Sequence, residues 1–223
     1  MSNLAEIKAI LFKEIKIEFR QRYAISAVLL YVVATVFVCY LSFRSIIDVP
    51  TWNALLWIII LFASFNTTAK SFWQENEGRT LYLYTLAHPR NIIIAKIIYN
   101  AMLLAVVAFS CFLLYTLFLG DSIIKHANVS MFLTALFLGS IGLSSLLTMI
   151  AAIAFKTNNN MGLMAVLGFP VILPFMLTLI KFSKNALDQF SWEANGKYAL
   201  ILLAINLMVV VLSSILFPYL WRD

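Results

Sequence analysis

Charge is scarce in this sequence. Asp, Glu, Lys and Arg make up 12% of its 223 residues, roughly half the share in a soluble globular chain. The ten acids avoid the long apolar runs altogether, which argues against a carboxylate proton relay inside a membrane. There are two cysteines, Cys39 and Cys111, each within an apolar run. They read as small apolar thiols rather than a disulfide. No C-x-x-C, no G-x-x-x-x-G-K-[ST] and no H-E-x-x-H is present, so redox-thiol, phosphate-loop and zinc-protease chemistry all lack their motifs. The two histidines, His88 and His126, fall on opposite sides of the membrane by the topology below and cannot share a metal. His126 reads as a solvated loop residue, with a haem or metal contact as the alternative. The N-terminal residues lack a signal-peptide pattern with a cleavage site, so the first apolar run is expected to stay as an anchor. The residues therefore show no catalytic site and no metal site.

Apolar sequence is what the chain has in excess: 63% of it is hydrophobic. Six runs are long enough to cross a bilayer at ~1.5 Å per residue. They lie near residues 24–43, 52–69, 92–119, 131–155, 161–180 and 198–220. The runs are continuous rather than alternating, which favours helices over a barrel. The expected fold is an all-α integral membrane protein of six transmembrane helices (24–223), preceded by an amphipathic interfacial helix (1–23).

That first helix follows from Leu4, Ile7, Leu11, Ile15 and Phe19, which recur at helical spacing while Glu6, Lys13, Lys16 and Arg20 fall largely elsewhere. Glu18 stands four residues before Arg22, a helical pairing distance. A short soluble cap on the first span is the alternative.

The sixteen Lys and Arg divide eleven to five if the N-terminus is cytoplasmic, which predicts both ends inside. They form no cluster the size of a nucleic-acid groove, so no nucleic-acid partner is expected. Tryptophans mark the boundaries, with Trp52, Trp57 and Trp192 toward the outer face and Trp73 and Trp221 toward the inner. Lys96, one turn inside the third span, is expected to snorkel to the surface. Asn53, Asn66, Asn100 and Asn206, with the small residues Gly139, Ser140, Gly142, Ser144 and Ser145, read as helix-packing positions. In the fifth span, Pro170 and Pro174 each remove a backbone donor. They predict a span broken near its outer half, the chain partly re-entering before Lys181; a kinked through-span is the alternative.

The longest polar interruption is QENEGRTLYLYTLAHPRN, residues 74–91. Its charges alternate with leucines and tyrosines, which suits a short helix lying on the cytoplasmic membrane surface, stopped by Pro89. With the flanking Lys70 it forms a candidate coupling loop, residues 70–91. An interfacial loop without a partner is the alternative.

The sequence E-x-E-G-R-T-L-Y-L-Y-T-L-A-H-P after the second span resembles the permease subunits of ATP-binding cassette exporters. In these, E-x-x-x-G-T-L-E-type loops contact the ATPase. Glu77, Gly78, Thr80, Leu81 and Pro89 match; Arg79 intervenes, and Tyr82 stands where an acid is common. The implied fold is that of a type 2 ABC exporter permease. More closely, the chain is similar to the haem exporter protein B family of the cytochrome c maturation system. The likeness rests on LFKEIKIEFRQRYAI before the first span, LGSIGL in the fourth, Lys156 opening a short inner turn, and FPVILPFML in the fifth.

The resemblance implies a non-catalytic permease subunit in a bacterial inner membrane. A separate cytoplasmic ABC ATPase would dock on Glu75, Glu77, Gly78, Thr80, Leu81 and Pro89 and would carry the ATP. Pro170 and Pro174 would shape the outer face. The implied partners are a haem-handling membrane protein, a periplasmic haem chaperone, membrane lipids and a second copy of the chain. No cofactor is expected on this chain itself, haem being handled by the complex. The complex would either export haem or release the haem-loaded chaperone. An exporter of lipid, polysaccharide or drug, or a scaffold without an ATPase, remains the alternative.

Overall fold

The computed structural model describes residues 3–21, 23–43, 47–73, 87–119, 121–125, 127–156 and 161–220. These hold seven long helices, one helical turn (Asp121–Ile124) and no strand. The helices are α1 (Asn3–Gln21), α2 (Tyr23–Ser42), α3 (Val49–Trp73), α4 (Pro89–Leu119), α5 (Val129–Lys156), α6 (Met161–Leu187) and α7 (Trp192–Leu220). Five of them, α3 to α7, are long and apolar enough to cross a membrane. In α2 the apolar helix covers Ser26–Ser42.

The bundle is organised around α5, which touches α3, α4, α6 and α7. Its small residues make this possible. Gly139 lies under Trp57, where an added Cβ would stand 2.7 Å from Cη2 of the indole and 2.9 Å from Cδ2 of Leu179. At Gly142 an added Cβ would collide with the Phe175 ring and with Oδ1 of Asn206. The missing side chains are thus replaced by aromatic rings from α3 and α6, and the helix axes come close. By contrast α2 buries only one stripe, Val28, Val32 and Val36, four residues apart, and packs on α3 and α4.

Span asparagines stitch the helices together. Asn53 Nδ2 donates to the Ile180 carbonyl at 3.0 Å, and Trp57 Nε1 to Ser183 Oγ at 2.8 Å, so α3 is tied to α6. Asn206 Nδ2 donates to the Leu138 carbonyl at 3.1 Å, tying α7 to α5. Asn66 differs: it is exposed and donates to its own helix, at Phe62.

Two expectations are corrected here. Trp52 and Trp57 are not surface anchors at a membrane boundary, because both are wholly buried. Trp52 stacks obliquely on Tyr115 and Phe132, with centroids 5.0 and 5.8 Å away. Their large apolar surface is used inside the protein.

The break expected at Pro170 and Pro174 is likewise absent, since α6 is one helix containing both. The prolines are four residues apart, and both are exposed. The carbonyls deprived of a donor, those of Val166 and Pro170, therefore belong to exposed residues too, while Gly168, Ile172, Phe175 and Leu179 form an unbroken buried side. Packing on α5 and α7 keeps the helix continuous through a defect confined to its exposed side. It ends where Gln189 turns left-handed, at φ 63°, with Phe190 N donating to the Asn185 carbonyl in a Schellman-type closure.

Candidate coupling site

The ends of α3 and α4 converge on the segment that joins them. Of the sequence-derived site residues, Glu75, Glu77, Gly78, Thr80 and Leu81 lie outside the described residues. Pro89 is the first residue of α4, the position at which its fixed φ suits a helix start and its missing N–H leaves no bond unmade. Pro170 and Pro174 lie on α6 and take no part in this region.

Three polar contacts fix α1, the end of α3 and the first turns of α4 to one another. Glu6 of α1 reaches the start of α4, where its Oε2 accepts from Asn91 Nδ2 at 2.7 Å and from the His88 backbone N–H at 3.4 Å. A carboxylate at a helix N-terminus also meets the positive end of the helix dipole. The Asn91 amide, followed by the His88 backbone, holds the Glu6 carboxyl below its ordinary range.

Three turns along α1, Glu18 is buried and accepts from the Tyr99 hydroxyl at 3.1 Å. Beside it is a cavity of ≈ 20 Å³, lined in part by Glu14, Thr67, Lys70 and Ser71, room for about one water.

The third contact corrects an expectation. Lys96 does not snorkel out. It is 1% exposed, and its Nζ donates to the Ser71 carbonyl at 3.0 Å while lying 4.6 Å from the centroid of the Phe72 ring. Ser71 is in the last turn of α3, where carbonyls have no intrahelical donor, and a cation there meets the negative end of the dipole. Phe72 in turn packs 6.2 Å from Phe155 near the end of α5. One turn deeper, Asn100 Nδ2 donates to Thr148 Oγ1 of α5 at 3.0 Å.

Sequence reasoning did not single out Glu6, Asn91, Tyr99 or Ser71 for this role. A signal for Glu18 existed. It follows Leu11 by seven residues and so falls on the same helical side. Among the described residues no group of three or more His, Cys, Asp and Glu could hold a metal. Both cysteines are free thiols.

Comparison with known families decides what kind of protein carries this arrangement. The family model for CcmB protein matches residues 5–220, nearly the whole chain. The chain belongs to the CcmB family. Neither a curated protein nor a solved structure gave a match. A CcmB protein is a membrane component of the ABC transport system of cytochrome c biogenesis, working with an ATPase and other proteins of that system. The multi-pass, all-helical architecture agrees with that membership.

Proposed function

We propose that this CcmB chain is the subunit that couples ATP hydrolysis, performed by a separate cytoplasmic ATPase, to a haem-related step of cytochrome c maturation. The observation that carries the reading is the fastening of α3 and α4 on either side of the joining segment. Lys96 binds one helix end to the other, and Glu6 and Glu18 bind α1 to α4. A partner docked on Glu75, Glu77, Gly78, Thr80 and Leu81 would thus act on three helices at once. In this reading α2 is a sixth span and both termini are cytoplasmic, in a bacterial inner membrane, with haem-handling proteins and a periplasmic haem chaperone beside it.

The sequence offers no evident pair of axial haem ligands, its two histidines falling on opposite sides of the membrane in this topology, which favours release of a haem-loaded chaperone over passage of haem through this chain. Purification of the tagged chain in mild detergent tests the reading. The expected result is co-purification of an ABC ATPase with haem-binding maturation proteins. An ATPase accompanied by none of these points to another cargo, and no ATPase at all points to a scaffold.

A further inference from the structure

The charges of α1 are sorted by side. Its three acids turn inward: Glu6 is bonded to the start of α4, Glu14 lines the small cavity, and Glu18 is buried against Tyr99. Of the basic residues, Lys8, Lys16 and Arg20 are exposed, while Lys13 is half-buried and pairs with Glu14 at 3.4 Å. On the same uncovered side Leu4, Phe12 and Phe19 are 71%, 69% and 72% exposed, and they fall within about 80° of one another at ~100° per residue. Between α1 and α4 a mostly apolar groove of ≈ 290 Å³ continues this face, walled by Ile15, Phe19, Met102 and Val106, with the bonded pair Glu18 and Tyr99 at its inner side. Large apolar side chains beside a one-sign cationic rim match the boundary between acyl chains and negatively charged headgroups.

We propose that the uncovered face of α1 is a docking surface for anionic phospholipid. Phe12, Phe19 and the groove take acyl-chain carbon, and Lys8, Lys16 and Arg20 meet the phosphate charge. A neutral bilayer would satisfy the apolar residues but not the sorting of charge. A soluble acidic protein would satisfy the charge but leave the groove facing water. Each basic residue near an anionic surface raises the bound population by roughly fivefold, so three together make the helix sensitive to lipid composition.

The test uses the full-length protein in nanodiscs of phosphatidylcholine alone or of equal parts phosphatidylcholine and phosphatidylglycerol. Hydrogen–deuterium exchange is followed in residues 3–21. Exchange is expected to slow in the anionic discs, and the difference should shrink as salt is raised. The triple variant K8Q/K16Q/R20Q should exchange equally in both discs, while K8R/K16R/R20K keeps the difference. Equal exchange of the unaltered protein in both discs overturns the proposal, as does a difference that survives neutralisation. Slowing that appears in neutral discs only on adding a cytoplasmic ATPase assigns the face to a protein partner and overturns it too. The lipid comparison contains no ATPase, so its outcome is separate from that of the coupling reading.

Discussion

The Tyr99 hydroxyl donates to the Glu18 carboxylate at 3.1 Å, joining α1 to α4 inside the protein rather than at its surface. Glu18 is 7% exposed, so bulk solvent has little access to it when the donor is lost. Tyr99→Phe should therefore cost about 1–3 kcal/mol, the range for a buried bond to a carboxylate. Glu18→Gln keeps an acceptor and should cost less. Thermal unfolding in detergent reads both, and a Tyr99→Phe protein as stable as the parent would show that this bond contributes nothing.

Glu6 predicts a pH effect on the same helix. Its carboxyl is held below the usual range, first by Asn91 and then by the His88 backbone. A depressed value means the attachment is fully present above the unfolded value of about 4.5 and is lost as pH falls through the lower, folded value. Limited proteolysis of residues 3–21 should quicken on acidification into that window. In Glu6→Gln the rate should already be raised at neutral pH and change little with acid. Equal pH profiles would remove Glu6 from the account.

Gly142 should tolerate no side chain. Gly142→Ala places a methyl into the Phe175 ring and against Asn206, and overpacking of this kind costs roughly 1–3 kcal/mol. Phe175→Leu in the same chain should recover part of the loss. Failure of the second change to help would mean the helix axes, not the ring, set the limit.

Pro170 and Pro174 carry the opposite expectation. Both are exposed in a continuous helix, so Pro170→Ala with Pro174→Ala restores two backbone donors without disturbing the core. Expression and holocytochrome c yield should be unchanged and thermal stability equal or higher. A fall in yield at normal expression would give these rings a functional role on the outer face.

Glu77 tests the coupling reading directly. Glu77→Lys reverses a charge proposed to meet a basic group on the ATPase, and breaking a desolvated pair of that kind costs roughly 2–5 kcal/mol in binding. The protein should insert normally yet lose its ATPase on purification. Retention at the parent ratio would return residues 74–91 to the status of an interfacial loop.

Composition alone made the membrane class legible, because long apolar runs are a property of sequence with few competing explanations. Gly139 and Gly142 were also readable as packing positions, since a missing Cβ has one obvious use between helices. Lateral facing was not readable. Trp52 and Trp57 have the composition of boundary anchors, but apolar spans give no moment to say which side meets protein. Lys96 was misjudged because its partner is a backbone carbonyl 25 residues earlier in the chain, and a carbonyl has no identity in sequence. Pro170 and Pro174 were misjudged because a proline's cost depends on which side of the helix its lost bond lies. The hydrogen bonds of Glu6 and Glu18 depend on how α1 lies along α4, which no local pattern encodes.

The Lys96 contact has a mechanical result. A hairpin whose two legs are pinned by a buried cation close to their joined end cannot be prised apart there without withdrawing that cation from its carbonyl and from the Phe72 ring. Such withdrawal leaves a charge without its best partner in a region of low polarisability. Spreading of α3 from α4 is thus the stiff direction. Phe72 packed against Phe155 continues this contact to α5, so α3, α4 and α5 share one packed junction at that end of the bundle.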